Sequence, residues 1–266
     1  MKKRSFLAYL VAASSPMLAF GCSGDEQPQS GDDLIADFTK DNGLNPADGR
    51  QGGFYIYGDD SIDGQFDPPE QDNYPIDTST GNPEGSGPGS FHTKATGFGV
   101  WGAAVGTDFV PKTDADKKGT YDASKYQGVS FWAKAGAPLT GVQVSFPDAY
   151  TDGAADPSTI DSSAFACVYS SMQPEYNCSP YLVKLGNGDF PAYMDKQIDT
   201  EWRRFDIMFA DTLQDRYNQG YHRPDADYID TQHLTAMAIQ VNADYSSGSA
   251  EPNDFEIWID DVYFIK

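Results

Sequence analysis

From residue 34 onward, short runs of alternating apolar and polar residues recur between turns rich in Gly, Pro, Asn and Asp. They cover 34–38, 53–57, 91–96, 105–110, 127–134, 140–146, 180–185, 202–209, 235–242 and 254–264, and a period of two over such lengths predicts β-strands. No apolar helical period runs beyond about two turns. Helical turns are predicted only at 211–217 and 230–234, the second with Asp230 placed to cap it. Within 127–134, Val129, Phe131 and Ala133 share one face while Ser130, Trp132 and Lys134 share the other. Within 202–209, Phe205, Ile207 and Phe209 oppose Arg204, Asp206 and Met208. Ten short strands predict an all-β fold, an antiparallel β-sandwich of the jelly-roll kind. Residues 59–90 form a long Pro/Gly/Asp/Ser-rich excursion without a strand pattern, and loops of that length usually carry function or move.

The last run, Phe255 to Phe264, alternates cleanly except that Asp260 falls on the side of Trp258, Val262 and Phe264. A carboxylate facing a core must be paired, hydrogen-bonded or bound to a cation, because leaving it dry and alone costs several kcal/mol. Either a neighbouring turn donates hydrogen bonds to it or a structural calcium holds it, with Asp37 on the first strand as second ligand and Asp48 as a weaker one. A second calcium candidate runs from Asp59 to Glu70. Its oxygen donors, Asp59 and Asp63 among them, and its Gly64 follow the spacing of an EF-hand loop, but a strand before it and Pro68-Pro69 within it leave no flanking helix pair.

The first 21 residues carry Lys2, Lys3 and Arg4 ahead of an apolar stretch and end before Cys22, the form of a signal peptide. The small residue before Cys22 resembles a bacterial lipobox, which implies lipidation at Cys22 and sorting to an outer membrane or the cell surface. The alternative is an ordinary secretory signal with Cys22 left free. Residues 22–33 read as a lipidated Cys with a flexible spacer, and 34–266 as one β-sandwich domain. With Cys22 lipidated, Cys167 and Cys178 remain as one pair in an oxidising compartment, a disulfide stabilising by roughly 2–3 kcal/mol. Loss of the leader's three positive charges takes the net charge from −22 to −25. Nucleic acid is thereby excluded as a partner, and a membrane is met only through the anchor.

With 36 aromatic residues, the chain holds more rings than its core needs. Flat rings rimmed by polar side chains suit sugars, which present apolar C–H faces. Trp101, Tyr55, Tyr57 and Tyr245 are candidates in this sense, and Trp132, Arg204, Asp206 and Tyr150 are the residues assigned to ligand binding. No nucleophile elbow, phosphate loop or reactive cysteine is visible. The 40 acids single out no catalytic pair, and the chain is expected not to be an enzyme.

Ile35-Ala36-Asp37-Phe38, Tyr126 to Lys134, Glu201 to Phe209 and Trp258-Ile259-Asp260-Asp261-Val262 occur in an order that resembles the galactose-binding-like jelly roll of family-eleven carbohydrate-binding modules. The complex-I intermediate-associated proteins share that module. Asp48 to Tyr57 and Gly97 to Gly102 also resemble a group of myxobacterial lipoproteins. The resemblance implies binding of a polysaccharide or oligosaccharide of β-glucan type along a concave sheet, without catalysis, with structural calcium away from it. A structural or adhesive surface lipoprotein with a protein partner is the alternative, followed by a glycoside-active enzyme.

Overall fold

The computed structural model describes residues 31, 33–71, 74–85, 87–112, 117–160, 167, 178–214 and 228–266; residues 1–21, expected to be a signal peptide, and Cys22 lie outside them. The strands are β1 (Leu34–Ala36), β2 (Phe54–Gly58), β3 (Gln65–Asp67), β4 (Ile76–Asp77), β5 (Ser90–Thr96), β6 (Gly102–Asp108), β7 (Gly128–Ala135), β8 (Val142–Phe146), β9 (Tyr181–Lys184), β10 (Arg203–Met208), β11 (Leu213–Gln214), β12 (Ala236–Asn242) and β13 (Phe255–Ile265). Each of the ten predicted runs overlaps one of them.

Two antiparallel sheets result. The first has the order β10-β7-β13-β5-β3, with β1 also on β13 and β4 also on β5; the second has the order β11-β9-β8-β12-β6-β2. Period two then divides every strand between a shared core and an outer face. Val129, Phe131, Phe205 and Ile207 from the first sheet are buried with Phe54, Val105, Val144, Val183 and Ile239 from the second. The inward assignment for β7 and β10 is as predicted, and Phe131 and Phe205 stack at 5.4 Å. Fully buried Arg50 closes one end, donating to the carbonyl of Leu34 (2.9 Å) under the rings of Tyr121 and Phe264.

Three differences from the sequence reading have local causes. The 59–90 segment does contain strands, β3 and β4, which extend the first sheet by pairing with β5; at two or three residues they are too short to show a period. Around 211–217 the described part is a 3₁₀ turn at Phe209–Asp211 followed by β11 on β9. The turn at Thr231–His233 forms as expected, with the Asp230 carboxylate accepting from Gln232 N.

The third difference concerns β13. Asp260 pairs with Trp132, but Tyr263 pairs with Ser130, so β13 carries one extra residue in between. That is a β-bulge, with Asp261 at φ 44°, a conformation Asp tolerates better than most residues. The bulge resets the parity. Ile257 and Ile259 face the core before it and Val262 and Phe264 after it, all buried. Asp260 therefore points away from the core, beside Trp258, and not among Val262 and Phe264 as the alternation predicts. It is nonetheless fully buried, because residues 82–85 cover it.

Candidate functional site

The outer face of the second sheet is unusual for its small floor. Along β6 the outward positions are Gly102, Ala104 and Gly106; Gly106 is flanked by Ala238 on β12 and, beyond it, Ser145 on β8, while Ala104 and Gly102 are flanked by Gln240 and Asn242. Tyr55 and Tyr57 on the adjacent edge strand sit in register with Gly106 and Ala104. A Cβ on Gly106 would lie 3.1 Å from the Tyr57 ring, so the ring packs directly over the glycine. Small residues let the rings lie close to the sheet.

The rings form a strip. Tyr55 to Tyr57 is 5.7 Å between centroids and Tyr57 to Trp101 is 6.0 Å, and all three residues are partly exposed. Alongside runs a row of amides and a cation, Gln240, Gln143 and Lys184, aligned across β12, β8 and β9. Gln240 Nε2 donates to Asn242 Oδ1 (2.7 Å), and Asn242 Nδ2 donates to Gln143 Oε1 (3.3 Å). These amides are held by one another and present their remaining donors and acceptors outward. The Tyr57 hydroxyl has no hydrogen-bond partner among the described residues, and burial pushes its pKa up, so it stays protonated and able to donate.

Trp101 is held in place from behind. Asp59 Oδ2 accepts from the backbone N–H groups of Val100, Trp101 and Gly102, each at 2.8 Å, and Oδ1 accepts from Ser61 N at 3.0 Å. Burial alone would raise this carboxyl, but the hydrogen bonds from Ser61, Gly102, Val100 and Trp101 outweigh it and hold its pKa at about 2. A pKa depressed in the fold means stability that is present above the unfolded value and lost as pH falls toward 2. Asp59→Ala is expected to cost about 2 kcal/mol, read as a lower urea midpoint at pH 7 whose deficit shrinks as pH falls from about 4 toward 2. A midpoint unchanged at pH 7 would refute this role.

At the end of β6 the small floor stops at Asp108. Its carboxylate accepts from Tyr55 Oη (2.9 Å) and pairs with Lys118 Nζ (2.8 Å), which also reaches Asp152 Oδ2 (3.2 Å). Burial works against the lysine charge, but the Asp152 and Asp108 carboxylates outweigh it and raise its pKa.

The residues assigned to ligand binding from sequence lie elsewhere. Trp132, Arg204 and Asp206 do come together, on the outer face of the first sheet: Arg204 pairs with Trp132 in register, and its Nε donates to Asp206 Oδ1 and Ser130 Oγ at 2.9 Å. Tyr150 is buried, packed in a small cluster with Ala149, Ala155 and Ile160, so its ring does not face solvent. Asp63 is exposed on the turn after Asp59. The disulfide Cys167–Cys178 forms.

Of the calcium candidates, Asp37 lies near enough to Asp260 to disfavour its charge. Asp260 Oδ2 accepts from Asn82 N (3.1 Å) and Oδ1 from Asp261 N (2.8 Å). Burial foremost, then the Asp261 charge, push the Asp260 pKa up to about 7. Among the described residues no group of three or more His, Cys, Asp or Glu is arranged to hold a metal.

No protein-family model matches the chain, and no curated protein matches it. Solved structures similar to it include the family 11 carbohydrate-binding module of the cellulosomal cellulase Lic26A-Cel5E of Clostridium thermocellum, at 12% identity and TM-score 0.47 over 87% of this chain and 92% of that one. A family 11 module from the same organism in complex with a β-1,3-1,4-mixed-linked tetrasaccharide is similar at 12% identity and TM-score 0.46, over 88% and 94%. The family 30 module of the cellulosomal cellulase Cel9D-Cel44B of C. thermocellum is similar at 12% identity and TM-score 0.38, over 80% and 97%.

Proposed function

We propose that this protein binds a saccharide chain on the outer face of its second sheet and does not cleave it. The observation that carries the reading is the strip Tyr55, Tyr57 and Trp101, with rings 5.7 and 6.0 Å apart, beside an ordered row of amides. Rings so spaced meet the apolar faces of successive sugars, and the amides meet their hydroxyls. The carboxylates at the site, Asp108 and Asp152, share the Lys118 ammonium, an arrangement that fixes Tyr55 and does not present an acid and a base to a glycosidic bond.

In this reading the protein is displayed outside the cell by a lipid on Cys22, after removal of residues 1–21. A structural calcium sits at Asp260 and Asp37, completed by backbone carbonyl oxygens, which calcium accepts readily. The cation would offset the burial and the neighbouring Asp261 charge that disfavour the ionised form of Asp260. Glycan-array binding with and without a chelator tests both parts. Signal on polysaccharides such as β-1,3-1,4-glucan is expected in calcium; no signal on any glycan in calcium would remove the saccharide reading.

The rival reading, an adhesive protein with a protein partner, draws on the first sheet. There Trp132, Trp202 and Trp258 are all partly exposed, with Lys134 Nζ 4.4 Å from the Trp258 ring centre and 5.8 Å from that of Trp202.

A further inference from the structure

We infer that the aromatic strip is closed at one end and open at the other, so that the site takes the ends of glycan chains and not their interiors; this rests on the saccharide reading above. The outward positions of β6 run Gly102, Ala104, Gly106 and then Asp108. Three residues no larger than alanine are followed by a carboxylate locked into a bridge. Asp108, Lys118 and Asp152 have side chains only 14%, 13% and 1% exposed, so the bridge is itself covered.

The backbone behind the bridge is laced tightly. Lys118 N donates to Ala154 O (2.8 Å), and Asp156 N donates to Lys118 O (2.9 Å). Asp152 Oδ2 also accepts from Thr235 Oγ1 (2.8 Å), at the root of β12. The 148–152 turn closes around buried Asp148, whose Oδ1 accepts from Tyr150 N and Thr151 N, while its Oδ2 accepts from Asp230 N, all at 3.0 Å. Threading a chain past this end means breaking a covered ion pair and leaving its charges without partners, which is strongly unfavourable.

The other end is built differently. Beyond Gly102 stand Trp101, Val100 and Tyr245, the last two 56% and 58% exposed, with the Tyr245 hydroxyl donating to Val100 O. Apolar surface therefore continues outward past Trp101, where the rest of a bound chain leaves the protein. A terminal sugar differs from an internal one by a free hydroxyl in place of a glycosidic bond. Seated over Tyr55, that hydroxyl faces the charged Asp108–Lys118 pair, a stronger hydrogen-bonding partner than a neutral group.

Capacity measurements separate the two binding modes. A β-1,3-1,4-glucan is cut by endo-hydrolysis into fractions of decreasing chain length, and the purified protein is titrated into equal masses of each by isothermal calorimetry. End recognition gives an unchanged Kd per site and twice the sites per gram each time the mean chain length is halved. Sites per gram that stay constant or fall as the chains shorten overturn end recognition and leave the saccharide reading standing. Absence of binding to every fraction overturns both.

Discussion

Tyr57→Ala is expected to weaken saccharide binding by about 2 kcal/mol, roughly 30-fold in Kd. The ring lies in the middle of the strip, between Tyr55 and Trp101, so its removal breaks a continuous surface at its centre. Truncation also uncovers Gly106, which lies directly beneath it, and lets water into the contact. Tyr57→Phe keeps the ring and loses only the free hydroxyl, a smaller cost of about 1 kcal/mol. Trp132→Ala provides the contrast, since Trp132 lies on the other sheet and its loss should leave the Kd unchanged. Calorimetry on the three variants with a β-1,3-1,4-glucan decides the matter: equal affinities for Tyr57→Ala and the parent would remove the strip from the site.

In a chelator, the protein is expected to become more stable on acidification from pH 8 to pH 5. Asp260 has a pKa of about 7 in the fold against ~3.9 unfolded. A carboxyl raised in this way binds its proton more tightly folded than unfolded, so stability falls as pH rises through that window and recovers as pH falls. At ~1.4 kcal/mol per pKa unit the swing is on the order of 2–4 kcal/mol, or roughly 5–10 °C in Tm for a body of this size. Asp148, also buried and raised in pKa, contributes with the same sign, so the Asp260 share is the difference between the parent and Asp260→Asn. Calcium should abolish that share by stabilising the charged carboxylate. Thermal scans of both proteins at pH 5 and pH 8, with calcium or EDTA, give the result; identical pH slopes in parent and Asp260→Asn would refute it.

The strands were legible because alternation over five or more residues survives whatever the tertiary context adds. β3, β4 and β11, at two or three residues, carry no period and exist through their partners β5 and β9. β13 illustrates a subtler limit. Its alternation reads as continuous, yet the bulge at Asp260–Asp261 resets the faces, and the only local sign was two adjacent acids in a hydrophobic run. The burial of Asp260 was foreseen; that residues 82–85 would cover it was not, because that contact spans 178 positions of sequence.

The candidate site was legible in part. Tyr55, Tyr57 and Trp101 stand out as aromatics, but nothing local says that they share one face, since Trp101 lies outside β2 and joins it through β6. Trp132 was placed correctly on the polar side of β7, yet a sandwich has two outer faces, and a single strand does not say which one meets a ligand. A usable signal was present in Gly102-Ala103-Ala104-Val105-Gly106. Small residues at alternate positions of a strand leave room over the sheet for rings from a neighbour, and that pattern singles out β6 as a floor. The amides Gln143, Gln240 and Asn242 gave no signal, because only cross-strand register aligns them.

Backbone amide shifts of the isotope-labelled protein, followed by NMR as a β-1,3-1,4-mixed-linked tetrasaccharide is added, test the location of the site most directly. Perturbations are expected along β2, β6, β12 and the loop bearing Trp101, with β7 and β10 silent. Shifts centred on Trp132 and Arg204 instead would contradict binding on the second sheet.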